Sequence, residues 1–102
     1  MTSLVKAYAG AIASRNVAEL KRIYPGMTAA QQSAWESFFA SVRSMTANLE
    51  IATFDAADST AVARITGVYE FVTRAGRPER QPASFEATFT RDGDRWRMQT
   101  VR

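Results

Sequence analysis

The chain has 102 residues, a hydrophobic fraction of 46% and no apolar run as long as the ~18 residues of a membrane span, so one packed domain over residues 1–102 is expected. It holds no cysteine and no histidine, which excludes thiol nucleophiles, disulfides, the usual zinc sites and imidazole catalysis. Net charge is +3 and unevenly spread: five basic and five acidic residues precede Thr60, whereas eight arginines face five acids from Thr60 onward.

The first helix is expected over Ser3–Ser14, where Leu4, Tyr8, Ala11 and Ile12 recur at three- and four-residue spacing. Asn16 is placed to cap a short second helix, with Glu19 at the capping-box position and Val17, Leu20, Ile23 and Tyr24 on its apolar side. Pro25-Gly26 ends that helix, because proline cannot extend the ladder and glycine accepts a reversed backbone. Thr28 with Gln31 opens a third helix, whose stripe reads Trp35, Phe38, Phe39, Val42 and Met45.

Four strands are expected next. Ala47–Phe54 is the first, and Asp55–Ser59 a polar turn. Thr60–Thr73 is the second, alternating Ala63, Ile65, Gly67, Tyr69 and Phe71 with Arg64, Thr66, Val68, Glu70 and Val72. Arg74–Pro82 reads as an arginine-rich loop. The third strand, Ala83–Arg91, places Phe85, Ala87 and Phe89 opposite to Glu86, Thr88 and Thr90. Asp92-Gly93 then signals a hairpin, and the fourth strand sets Trp96, Met98 and Thr100 against Arg95, Arg97, Gln99 and Val101. One sheet face is thus apolar and the other charged, as in an antiparallel sheet covered on one side. Interior Gly67 is read as a bend. The fold class is α+β: two to three amino-terminal helices on a curved four-stranded antiparallel sheet, forming a cone-shaped roll.

This order resembles the nuclear transport factor 2-like superfamily, also called SnoaL-like or ketosteroid-isomerase-like. The resemblance rests on Tyr8-Ala9-Gly10-Ala11-Ile12-Ala13-Ser14-Arg15-Asn16 leading to Leu20 and Tyr24, on the long Thr60–Thr73 strand, and on the ending Phe85–Met98. The step Tyr24-Pro25-Gly26-Met27 and the Arg74–Pro82 segment also resemble domains at the carboxyl end of bacterial serine/threonine protein kinases. The resemblance implies a short hairpin between the second and third helices, for which Pro25–Met27 leaves no room. Ketosteroid-isomerase-like enzymes keep their general base in that region and an oxyanion-donating tyrosine on the first helix. Tyr8 falls at a comparable place; the base has no counterpart.

Two groups of site residues follow. Tyr8, Tyr24, Trp35, Phe39, Tyr69, Phe85 and Trp96 are candidates to line a pocket for a small apolar ligand, or else fill the core. Arg64, Val68, Glu70, Val72, Glu86, Arg95 and Arg97 share the charged sheet face and are candidates for a homodimer interface, with solvent exposure as the alternative. Glu70 and Glu86 are expected to pair across strands with Arg64, Arg95 or Arg97 rather than act as an acid–base couple. Arg74, Arg77 and Arg80 could meet phosphate, but no aromatic residue interleaves with them in sequence, so no nucleic-acid partner is expected. No catalytic residue, metal site, cofactor or membrane contact is expected, and the compartment stays open. The resulting functional expectation is a non-enzymatic association or ligand-sensing module of a larger bacterial signalling protein, such as a serine/threonine kinase. The alternative is a small-molecule isomerase or dehydratase with a pocket between helices and sheet.

Overall fold

The computed structural model describes residues 2–102. Three helices, α1 (Thr2–Ala13), α2 (Val17–Ile23) and α3 (Ala29–Ala40), precede four strands, β1 (Val42–Ala56), β2 (Thr60–Thr73), β3 (Pro78–Asp92) and β4 (Arg95–Val101). The strands form one antiparallel meander in the order β1-β2-β3-β4, covered on one face by the helices. Among the described residues no helix is long and apolar enough to cross a membrane.

The helix starts follow their capping chemistry. The Asn16 side chain accepts from the Glu19 amide at 3.1 Å, but the Glu19 carboxylate turns to Arg22, so only half of a capping box forms. At α3 both halves close: Thr28 Oγ1 accepts from the Gln31 amide at 3.1 Å, and Gln31 Oε1 accepts from the Thr28 amide at 3.0 Å. The Gln31 side chain reaches further. Its Oε1 also accepts from the Tyr24 hydroxyl at 2.9 Å, and its Nε2 donates to the Val101 carbonyl at 3.1 Å. The Val101 amide in turn donates to the Tyr24 hydroxyl at 3.1 Å. One amide side chain thereby joins the end of α2, the start of α3 and the end of β4.

The core lies between α1, α2 and the inner sheet face. Ile12, Leu20, Ile65 and Ala87 are fully enclosed there, with Phe89 and Met98 almost so. Alternation holds along β2 and β3, where Ala61, Ala63, Ile65, Ala83, Phe85, Ala87 and Phe89 all point inward and are buried. α3 is different: of its twelve residues only Phe39 is buried. It lies over the far end of the sheet with its rings half covered.

Four expectations are corrected. First, β1 begins at Val42, not Ala47, so Val42 and Met45 are core residues of a strand rather than of α3. Ser41 caps the helix, its amide donating back to the Phe38 and Phe39 carbonyls. Second, most of Arg74–Pro82 is strand. Only 74–77 form the turn, and β3 pairs with β2 from Pro78 onward. Pro78 and Pro82 are tolerated because the even positions of β3 aim their backbone groups away from β2. Glu86, of the same parity, exchanges both hydrogen bonds with Arg102 (2.9 and 3.0 Å) on the other side. β4 pairs only with Ala87–Asp92, so the prolines lie on an open edge where no amide is needed.

Third, the bend read at Gly67 comes without a bulge: register runs unbroken through its pairing with Leu49, and the shifts fall in β1, between Val42 and Ser44 and between Ile51 and Thr53. Gly67 also serves close approach: a Cβ there would sit 1.9 Å from the Asn48 carbonyl oxygen. Gly26 does the same against β4, at 2.0 Å from the Gln99 oxygen. Fourth, the β3–β4 register slips by one between Thr88 and Phe89. Gln99 is the extra residue, and beyond it the faces exchange. Thr100 joins Thr88 on the outer face through a hydroxyl–hydroxyl bond, and Val101 packs on the core.

Candidate functional site

The pocket candidates divide into three places. Tyr8 is buried under α1 with its ring 6.1 Å from Phe85. Trp35, Phe39 and Tyr69 meet over the far end of the sheet: Trp35 stacks on Phe39 at 5.2 Å and meets Tyr69 edge-on at 6.2 Å. Phe38 and Phe71 extend this group, in a T-shaped pair at 5.1 Å. Trp96 stands apart, in a cleft of ≈ 560 Å³ lined also by Leu4, Ala7, Arg22, Ile23, Arg95 and Arg97. Tyr24 has its hydroxyl committed to Gln31 and Val101.

Two polar atoms on the helix-covered face remain uncommitted. Neither the Tyr8 nor the Tyr69 hydroxyl has a hydrogen-bond partner among the described residues, and no enclosed side-chain polar atom there is left unsatisfied. Both oxygens therefore touch open space. Burial pushes the Tyr8 hydroxyl well above its ordinary range, with Tyr69 and Tyr24 adding to the effect. Burial likewise pushes Tyr69 up to about 12. Both stay protonated at neutral pH, so each is a hydrogen-bond donor. A cleft of ≈ 260 Å³ between Ala34, Trp35, Phe38, Tyr69 and Gln81 opens at Tyr69. Buried polar or charged residues are absent from the described core, so no carboxylate accompanies the tyrosines. No cluster of acidic side chains that could hold a metal occurs among the described residues.

The outer-face candidates share one surface. Arg64 stands directly opposite Glu86, and Glu70 opposite Arg80. Val68 and Val72 are half-buried between them, and Val62 is 43% exposed. The expected cross-strand ion pairs do not close: among the described residues Arg97 pairs with Asp92 of the hairpin at 3.5 Å, and Arg22 with Glu19. The β3–β4 turn brings Asp92 within reach of Arg97, and the parity argument, which counts only faces, could not show this. It also missed Gln31, whose link to β4 leaves no trace beyond its capping position. Phe38 and Phe71 were legible as apolar positions but not as neighbours.

No family profile matches the sequence, and no curated protein matches it. Solved structures do. A proposed dehydratase of the nuclear transport factor 2-like family from Streptomyces avermitilis superposes with a TM-score of 0.80 over 99% of this chain and 90% of its own, at 12% identity. A proposed scytalone dehydratase from Novosphingobium aromaticivorans gives 0.82 over 98% and 77%, at 12% identity. A proposed calcium/calmodulin-dependent protein kinase type II association domain from Thiobacillus denitrificans gives 0.75 over 99% and 90%, at 13% identity. At such identities the likeness concerns fold alone, and the chain has the nuclear transport factor 2-like fold.

Proposed function

We infer that this chain, built on the nuclear transport factor 2-like fold, is a non-enzymatic association module within a larger bacterial signalling protein such as a serine/threonine kinase. The carrying observation is the outer sheet face. Val62, Val68 and Val72 lie there among Arg64, Glu70, Glu86 and Arg97, with no helix over them. A two-fold axis through such a face brings the arginine of each copy toward the glutamate of its mate, so Arg64 and Glu86, unpaired among the described residues, find partners between chains. The likeness to a proposed kinase association domain agrees with this reading. The interior agrees too: its uncommitted polar groups are two protonated tyrosines without a base, which suits holding a ligand better than turning it over. Light scattering over a concentration series tests the association. A dimer is expected at tens of micromolar, and Val68→Asp is expected to give a folded monomer. A wild-type monomer at every concentration excludes it.

One observation favours a second reading, a pocket for a small apolar ligand with a hydrogen-bond acceptor, whether sensed or transformed. It is the uncommitted Tyr69 hydroxyl, whose side chain lines the Trp35–Phe38 cleft, with the Tyr8 hydroxyl uncommitted deeper under α1. Thermal-shift measurements with aromatic ketones and phenols test it. Stabilisation that survives Tyr24→Phe but is lost in Tyr69→Phe is expected, and equal loss in both variants counts against the pocket.

A further inference from the structure

Four arginines from three separate stretches of the sequence meet at the corner where α3 turns into β1. Arg74 Nε donates to the Ala40 carbonyl, and the Arg74 amide to that of Ser41 at 3.3 Å. Arg15 Nη1 donates to the Val42 carbonyl at 3.2 Å, and Arg43 Nη2 to that of Arg74 at 3.1 Å. Arg77 closes the turn through its amide, which donates to Thr73 Oγ1 at 3.1 Å. Its guanidinium has no partner among the described residues. All four side chains are exposed, and neither ion pair of the described residues involves any of them. The carboxylates on adjoining segments, Glu36 of α3 and Glu79 of β3, do not pair with them either.

Bonding at the junction of α3 and β1 accounts for one side-chain N–H each of Arg74 and Arg15. It leaves most of the five N–H groups on each guanidinium free, and all of those on Arg77. The corner adjoins the half-exposed rings of Phe38 and Phe71, and Trp35 lies 6.1 Å from Phe38. Concentrated positive charge thus borders an apolar patch.

We propose that this corner, formed by Arg15, Arg43, Arg74 and Arg77 beside Phe38 and Phe71, docks an extended acidic segment of a partner protein that interleaves carboxylates with apolar side chains. The forks meet the carboxylates bidentately, and the apolar residues rest on the rings. Charge complementarity selects this occupant. A second copy of the same corner would be repelled by like charge. Nucleic acid is disfavoured because the rings pack edge to face, Phe38–Phe71 at 82° and Trp35–Phe38 at 74°, which occupies faces that bases would need for stacking. The outer-face association is separate, on the opposite side of the sheet.

The probe is a fluorescently labelled twelve-residue peptide alternating glutamate with phenylalanine, followed by anisotropy at low and physiological ionic strength. Wild-type protein is expected to bind it more weakly as salt rises. Arg77→Glu, whose side chain holds nothing in the fold, is expected to weaken binding roughly tenfold or more with an unchanged circular dichroism spectrum. Replacing the peptide's phenylalanines by serine is expected to weaken binding as well. Unchanged affinity in Arg77→Glu overturns the proposal, as does absence of binding at low salt. An oligothymidylate binding tighter than the peptide overturns it in favour of nucleic acid. If Arg43→Glu unfolds the protein, Arg77→Glu still decides.

Discussion

Gly67→Ala puts the close approach of β1 and β2 under direct test. The added Cβ would sit 1.9 Å from the Asn48 oxygen, 2.9 Å from its carbonyl carbon and 3.0 Å from the Leu49 Cα. The first distance is more than an ångström inside the closest approach that real Cβ atoms make, and every obstructing atom is backbone. No side chain can swing aside, so β1 must move as a strand, against a pairing that runs without interruption from Ser44 to Ile51. Overpacking of this kind costs about 3 kcal/mol, the upper end for one inserted carbon. For a domain of this size that lowers the melting temperature by roughly 12–24 °C. Gly10→Ala is the control. Gly10 is exposed within α1, and its new Cβ would meet nothing within 4 Å, so the substitution should add about 0.5–1 kcal/mol through helix propensity. Urea unfolding followed by far-ultraviolet circular dichroism reads both. A Gly67→Ala protein within about 1 kcal/mol of wild type would refute the close-approach reasoning.

Gln31→Leu should destabilise by about 2 kcal/mol, because it strands the Val101 carbonyl and the Thr28 amide and removes half of a capping box; chemical denaturation measures it. Tyr69 and Tyr8 make stability fall at high pH. Their folded pKa values lie above the unfolded value, so their contribution is complete below about pH 10 and is lost as pH rises, for Tyr69 through about 12. Phenolate absorbance should show two tyrosines ionising late, and Tyr69→Phe should flatten part of the decline in unfolding free energy. Pro78→Thr with Pro82→Thr should restore edge amides to β3 and raise self-association at high concentration, measured by size-exclusion chromatography, with little change in the monomer's circular dichroism.

Much of the architecture could be read from local chemistry. Thr28 with Gln31 located the start of α3, and alternation located the buried face of β2 and β3. Misreadings arose where two physical rules write the same letters. Trp35, Phe38, Phe39, Val42 and Met45 keep a helical period straight across Ser41, so nothing in the spacing marks the turn into β1. Pro78, Arg80 and Pro82 read as loop because their edge position depends on how short β4 is, a property of a strand some residues away. The slip at Gln99 carries no sequence signal, yet it decides that Val101 faces the core. The candidate site suffered most, since the neighbours of Tyr8, Tyr24 and Trp96 are set by tertiary packing. Tyr24 proved to be a structural bridge, and the arginine corner needed Arg15 and Arg43, which lie far from Arg74 in the sequence.

The Tyr24–Gln31–Val101 bridge also bears on the order in which the molecule can assemble. The helices leave the ribosome first, and α2, with seven residues, is too short to persist alone. The strands can zip as three successive hairpins, because each pairs with its neighbour in sequence and loop closure is inexpensive. The amide that fastens α3 must nevertheless wait for residue 101, seventy positions downstream. That fastening is therefore the last to form, although β2 has by then already brought Tyr69 and Phe71 against the rings of α3.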